Sequence, residues 1–185
     1  MLRNSAETWG TVAKNFHWWM AALIFAQFAL GLMAANWHLS PTKLQLFIWH
    51  KSIGMLILPL LVARILWRAA SVTPTLPGDM PAWEHRAAQA SHGLLYALMI
   101  ALPLSGWVIN SAANIPFRIF GLVRLPAITQ PDKQTAELFE RVHVGLVIAL
   151  VLVLVVHVVA ALRHHFVKRD TVLARMLPVM RWPAG

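Results

Sequence analysis

The chain has 185 residues, 58% of them hydrophobic and 12% charged, with nine Trp and no Cys. That balance places it among membrane proteins, and its length suits one domain. Lacking Cys, it carries no disulfide, no thiolate metal site and no cofactor attached through C-x-x-C-H. Its formal charge of +9 is explained by topology and lipid headgroups. Nucleic acid is excluded as a partner, because the basic residues flank apolar runs instead of lining one face.

In chain order, residues 1–16 form a short polar arm. His17 opens the first apolar span, about 17–36, and the Trp18–Trp19 pair suits a membrane interface. The same run has the layout of a cleavable signal peptide ending at Ala34 and Ala35, although its apolar stretch is longer than a typical signal core. After Pro41 and Lys43 a second span covers about 49–68, with Pro59 inside it as an expected kink. Residues 71–91 read as a Pro-rich loop and a polar approach segment, and a third span follows at about 92–110. The longest loop, 111–140, carries Arg118, Arg124 and Lys133. The fourth span, about 141–163, is followed by a basic tail. No internal repeat is visible. The expected fold is all-α: a single membrane domain over 1–185, built as a four-helix transmembrane bundle of up-down topology.

Charge orients it. The N-terminal arm, the second loop with its flanks and the tail, Arg181 included, hold ten Lys/Arg, and the opposite side holds six. The positive-inside rule therefore puts both termini in the cytoplasm.

A fourteen-residue spacing recurs in all four spans: His17 and Gly31, His50 and Arg64, His92 and Gly106, His143 and His157. On an α-helix fourteen residues rise about 21 Å and fall about 40° short of four turns, so each pair shares one stripe with one member per leaflet. Up-down topology then gathers His17, Arg64, His92 and His157 at the cytoplasmic level. His50, His143, Gly31 and Gly106 gather at the outer level. Imidazoles inside a span are costly and face the bundle interior. Pairs 17/157 and 50/143 are placed to ligate two stacked haems. The glycines allow close approach of a planar ligand, and Arg64 is placed to pair with a propionate.

These residues resemble the bacterial di-haem cytochrome b561 family, and within it the small four-helix superoxide oxidases. The resemblance spans nearly the whole chain: HW at 17–18, WHKSIG at 49–54, SHGLLYALMIALPLSGWV at 91–108, His143 with His157, and HHFVKRDTVLARMLP at 164–178. It implies a multi-pass protein of the bacterial inner membrane. In it His17 and His157 ligate an inner haem b, His50 and His143 ligate an outer one, and electrons pass from superoxide to ubiquinone. The residues between the motifs are dissimilar, so the four ligands carry over more directly than the substrate does.

With that reaction in view, Lys51, Arg118, Arg124, Lys133 and Arg141 form a basic outer face suited to attracting a small anion. At the inner end a quinone needs apolar walls and a few donors. Trp18, Trp19, His92, Arg163, His164 and His165 stand there, with His92 and His164 favoured as donors and proton carriers. His38 and His85 have no assigned role. Two other readings stay open: a cytochrome b subunit relaying electrons between a dehydrogenase partner and quinone, and a haem-binding membrane protein without turnover. A transporter is disfavoured, because spans one and four lack acids.

Overall fold

The computed structural model describes residues 1–75 and 80–178; Arg181 and part of the Pro-rich loop, 76–79, lie outside the described residues. Four long helices dominate: α1 (Thr11–Asn36), α2 (Pro41–Ala69), α3 (Ala82–Ala112) and α4 (Lys133–Arg163). At 1.5 Å per residue each exceeds the roughly 30 Å needed to cross a hydrocarbon core. All four are apolar enough to do so, α4 most of all with a mean hydropathy of 3.1 in its best window. The chain is thus an integral-membrane four-helix bundle.

The helices begin earlier than the apolar runs do. α1 starts six residues before His17, and α3 takes in the approach segment WEHRAAQAS. α4 starts at Lys133, which shortens the expected loop 111–140 from its far end. Polar first turns are helical because caps satisfy their free N–H groups. Ser40 accepts from the Lys43 N–H with Pro41 at the first helical position, and Asp132 accepts from both the backbone N–H and the hydroxyl of Thr135. Those two donors hold the Asp132 carboxyl below its ordinary range. Its contribution to stability is therefore complete above the ordinary carboxylate pKa and is lost as pH falls through the lowered value. α2 continues through Pro59 and α3 through Pro103 as single helices.

The remaining loop holds an antiparallel hairpin that the sequence reading did not anticipate, β1 (Phe117–Ile119) and β2 (Val123–Leu125). Its turn needs positive φ at both central residues, met by Phe120 (49°) and Gly121 (76°). Phe120 is held there from outside. Its backbone N–H donates to the fully buried Ser52 hydroxyl at 2.8 Å, and its ring meets Trp49 edge-on.

α1 packs on α2, α3 packs on α4, and α2 joins the two pairs through α3. The shared core is thin: Met20, Ile57 and Leu61, with Leu23, Tyr96 and Met99 against it. α1 and α4 scarcely touch. A wholly apolar groove runs between them, lined by residues such as Phe25, Phe28, Leu154 and Val158.

Both ends are tied down. At one end, called inner here, the N-terminal arm, the 70–75 segment and the tail knit together. Lys14 Nζ and the Trp18 indole N–H donate to the carbonyls of Leu177 and Met176, and Arg175 donates to Thr75. Trp18 is thus spent on the tail, while Trp19 is exposed. Beyond α4 the helix widens into a π-turn, His164–Lys168, ended by Arg169 in the left-handed region (φ 55°). Glu84, only 8% exposed, receives Arg163 at 3.1 Å and Lys168, and lies 3.7 Å from His164, which also bonds Asp170. Removing one partner from a buried ionic cluster leaves the others uncompensated. Glu84→Gln should therefore lower the melting temperature in detergent and speed tryptic cleavage after Lys168 and Arg169, whereas substitution of the exposed Glu137 should change neither. Equal tail protection in Glu84→Gln and parent would refute this.

Candidate functional site

The up-down arrangement brings each end's histidines together. At the outer end His50 of α2 faces His143 of α4 with ring centroids 6.3 Å apart. At the inner end His17 of α1 faces His157 of α4, again at 6.3 Å. Two metal–imidazole bonds of about 2.0–2.1 Å on opposite sides of one atom, with about 1.1 Å more from each nitrogen to its ring centre, put the centroids about 6.3 Å apart. Both pairs therefore leave room for one metal atom between them. His92 stands 5.4 Å from His157 in an edge-on contact, closer than the members of either pair, and is a packing neighbour of the inner pair.

Two imidazoles alone do not complete a metal's coordination. Among the described residues no cluster of three or more His, Cys, Asp or Glu could hold an ion. A metal between these pairs would have to bring its remaining donors with it, as iron in a porphyrin does. The outer surroundings fit such a group. A mostly apolar cavity there is lined by Gln27, His50, Lys51, Gly106, Trp107 and His143, among others. Gln27 Oε1, on its wall, is buried without a partner.

Hydrogen bonding at the outer pair selects the tautomer. His50 Nδ1 lies 3.2 Å from the Gln27 carbonyl, which can only accept, so Nδ1 carries the proton and Nε2 is left bare. The Gln27 side chain returns the contact, donating to the His50 carbonyl at 2.8 Å. His143 Nδ1 meets the Ser105 hydroxyl at 2.8 Å, while that hydroxyl donates to Leu102 O at 2.8 Å. Its oxygen therefore accepts from His143, again leaving Nε2 bare. The inner pair differs. Arg64 Nη2, a donor only, lies 3.4 Å from His17 Nδ1, and Arg64 Nε donates to the Tyr96 hydroxyl. A His17 ligating through Nε2 needs its proton on Nδ1, so Arg64 must turn away from that nitrogen when the pair is filled. A propionate is one acceptor it can turn to.

The two glycines of the fourteen-residue pattern face histidines. A Cβ at Gly31 would come within 3.0 Å of His50 Cε1, and one at Gly106 within 3.8 Å of His143 Cε1. The Gly31 position is tight against His50, whereas Gly106 is at ordinary contact distance from His143 and lines the outer cavity. Gly54 is likewise tight against the Gln27 amide, 2.7 Å from the Cβ it lacks. Gln27, Gly54, Tyr96 and Ser105 were missed as site residues in the sequence. Gln27 had a signal: it is the lone amide in an apolar span, four residues before Gly31.

The basic residues divide. Lys51 lines the outer cavity with its amine on Asn110 Oδ1 at 2.6 Å. Arg118 and Arg124 are exposed and stand directly opposite each other on the hairpin. Such like-charge pairs destabilise a sheet, and an anion between or near them relieves the repulsion. Arg141 is exposed, and Lys133 is engaged with Glu137 at 3.6 Å. His92 joins the inner histidines; Arg163 and His164 instead belong to the Glu84 cluster, and the His165 ring packs on Phe166.

Four membrane-length helices with two interior histidine pairs at two depths are the build of a membrane electron-transfer protein of the cytochrome b type. Sequence comparison agrees. The chain belongs to the prokaryotic cytochrome b561 family, whose model matches residues 8–179. It is 34% identical over 183 residues to cytochrome b561 homolog 2 of Escherichia coli (strain K12), covering 94% of this chain and 93% of that one. It is 27% identical over 129 residues to cytochrome b561 homolog 1 of the same organism, covering 70% of this chain and 73% of the relative. It is 33% identical over 132 residues to a probable superoxide oxidase, CybB, of Yersinia pestis, covering 71% and 74%. Membership implies binding of haem b.

The glycine contacts yield a test. Gly31→Val should push the His50 ring aside and lower the haem b content per chain, weakening retention by about 10-fold or more. Gly145→Ala, whose Cβ would meet nothing within 4 Å, should leave it unchanged. A pyridine haemochrome assay on purified protein reads both, and parent-level haem in Gly31→Val would show that His50 does not need that space.

Proposed function

We propose that the protein is a superoxide:ubiquinone oxidoreductase of the bacterial inner membrane, holding two haems b, with both termini in the cytoplasm. The whole chain, 1–185, acts as one membrane domain. The observation that carries the reading is the equal 6.3 Å spacing of the two histidine pairs, one at each end of the bundle. The relative described as a probable superoxide oxidase supports the choice of donor.

When bound, haem supplies a one-electron relay between the two membrane faces. His50 and His143 hold the outer one, and His17 and His157 the inner. Gly31 makes room for the His50 imidazole, and Gly106 lines the outer cavity. Arg64, which donates to the Tyr96 hydroxyl, would be the cation available to a propionate at the inner level. In the net reaction two superoxide anions each lose one electron and leave as O2, while ubiquinone takes up two electrons and two protons to become ubiquinol. Arg118, Arg124 and Arg141 draw the anion to the outer face, and Lys51 continues the positive potential into the cavity. His92, beside His157, and His164, bonded to Asp170, serve the quinone and its protons at the inner end.

The stoichiometry is tested first. The parent should bind two low-spin haems b, and His157→Ala should lose or disturb the inner one while the outer is retained. One haem per chain, or two haems retained after loss of both His17 and His157, would overturn the assignment. The His17 requirement also tests the signal-peptide layout, because cleavage after Ala35 would discard that ligand.

The direction is tested in stopped flow. Superoxide should reduce the haems at a rate that falls about 10-fold from low to high salt, since steering is screened over about 8 Å at physiological ionic strength. Arg118→Gln with Arg124→Gln should lower that rate at unchanged haem content. His92→Ala and His164→Ala should slow reoxidation by ubiquinone and leave superoxide-driven reduction intact. Reduction by a soluble dehydrogenase but not by superoxide would favour the cytochrome b subunit reading.

A further inference from the structure

The two histidine pairs match in spacing but not in support. Each outer ring has its Nδ1 bound to an acceptor, the Gln27 carbonyl for His50 and the Ser105 hydroxyl for His143. At the inner pair the group facing His17 Nδ1 is the Arg64 guanidinium, a donor. Of the two outer acceptors, one is backbone. The other is a side chain, 4% exposed and locked by its own donation to Leu102 O.

We infer that Ser105 is the positioning residue of the outer site: it fixes the His143 tautomer and ring orientation and thereby lowers the reduction potential of the outer haem relative to the inner. A ligand N–H that donates to an acceptor makes its imidazole a stronger electron donor, and a stronger donor stabilises ferric over ferrous iron. At the inner pair the neighbour of His17 Nδ1 is a donor, the Arg64 guanidinium, so that ring receives no such support. The outer haem therefore sits at the lower potential, and electrons arriving at the outer face run inward. This inference rests on the reading that His50 and His143 hold a haem, and the test separates the two.

Ser105→Ala and Ser105→Thr are compared with His143→Ala in purified, haem-loaded protein. The readouts are a redox titration followed in the visible and the rate of haem transfer to apomyoglobin. Ser105→Ala removes one oxygen from a buried site and should leave the bundle folded. It should raise the midpoint of one haem only and speed transfer of that haem about 10-fold. Ser105→Thr, which keeps the hydroxyl, should return both values toward the parent. His143→Ala should remove or disturb the same haem, as seen in its spectrum. If His143→Ala leaves both haems intact, the ligand assignment itself falls. If it disturbs one haem while Ser105→Ala keeps the parent midpoint and transfer rate, the ligand stands and the inference about Ser105 falls. A Ser105→Thr variant as altered as Ser105→Ala would show that side-chain volume is what matters there and would also overturn it.

Discussion

An imidazole inside a hydrocarbon layer must be partnered, and of the five within this chain's spans four form two pairs drawn from three helices. α4 contributes His143 and His157, α1 contributes His17, and α2 contributes His50. Because apolar side chains gain little by leaving lipid for one another, helix association in a membrane depends on close packing and polar contacts. Here α1 and α4 scarcely pack, and a groove separates them. The histidine pairs span that gap at the inner end, and at the outer end they tie α4 to α2, which carries α1 on its flank. Whatever is held between the rings is thus part of what holds the helices together.

The two ends solve the sealing problem with different materials. At the outer end the hairpin is fastened to α2 through Phe120 and Ser52. The Trp107 indole donates to Pro126 O, and Asn110 bonds both Lys51 and Ile115 O. Phe117 of that hairpin lines the cavity that contains His50 and His143, and Arg118 and Arg124 are exposed on the same two strands. At the inner end the closure is ionic. Glu84 at the start of α3 gathers Arg163, Lys168 and His164 from the end of α4, and the tail crosses to Lys14 and Trp18.

Much of this was legible in order of residues because two simple periods govern it. Hydrocarbon thickness sets the length of an apolar run, and 3.6 residues per turn makes fourteen residues a nearly whole number of turns. These placed the four spans, the shared stripes of His17 with Gly31 and His143 with His157, and the two levels at which partners would meet. The hairpin escaped notice although FRIFGLVRL alternates between Pro116 and Pro126. A nine-residue pattern in a polar loop is short, and its register depends on Ser52, far away in sequence.

The sequence by itself determined the membrane class, the number of helices, the up-down order and which histidines share a depth, since hydropathy and helical period are local properties. Only the tertiary structure decided which nitrogen of each outer ring is bare, that Gly31 and Gly106 face imidazoles, that Gln27 and Ser105 support the outer pair, and that His164 is bound into the Glu84 cluster. Those facts depend on which atoms of different helices come within about 3 Å of one another, and hydrogen-bond geometry at that range is fixed by how the helices rotate and lean together rather than by any spacing along one of them.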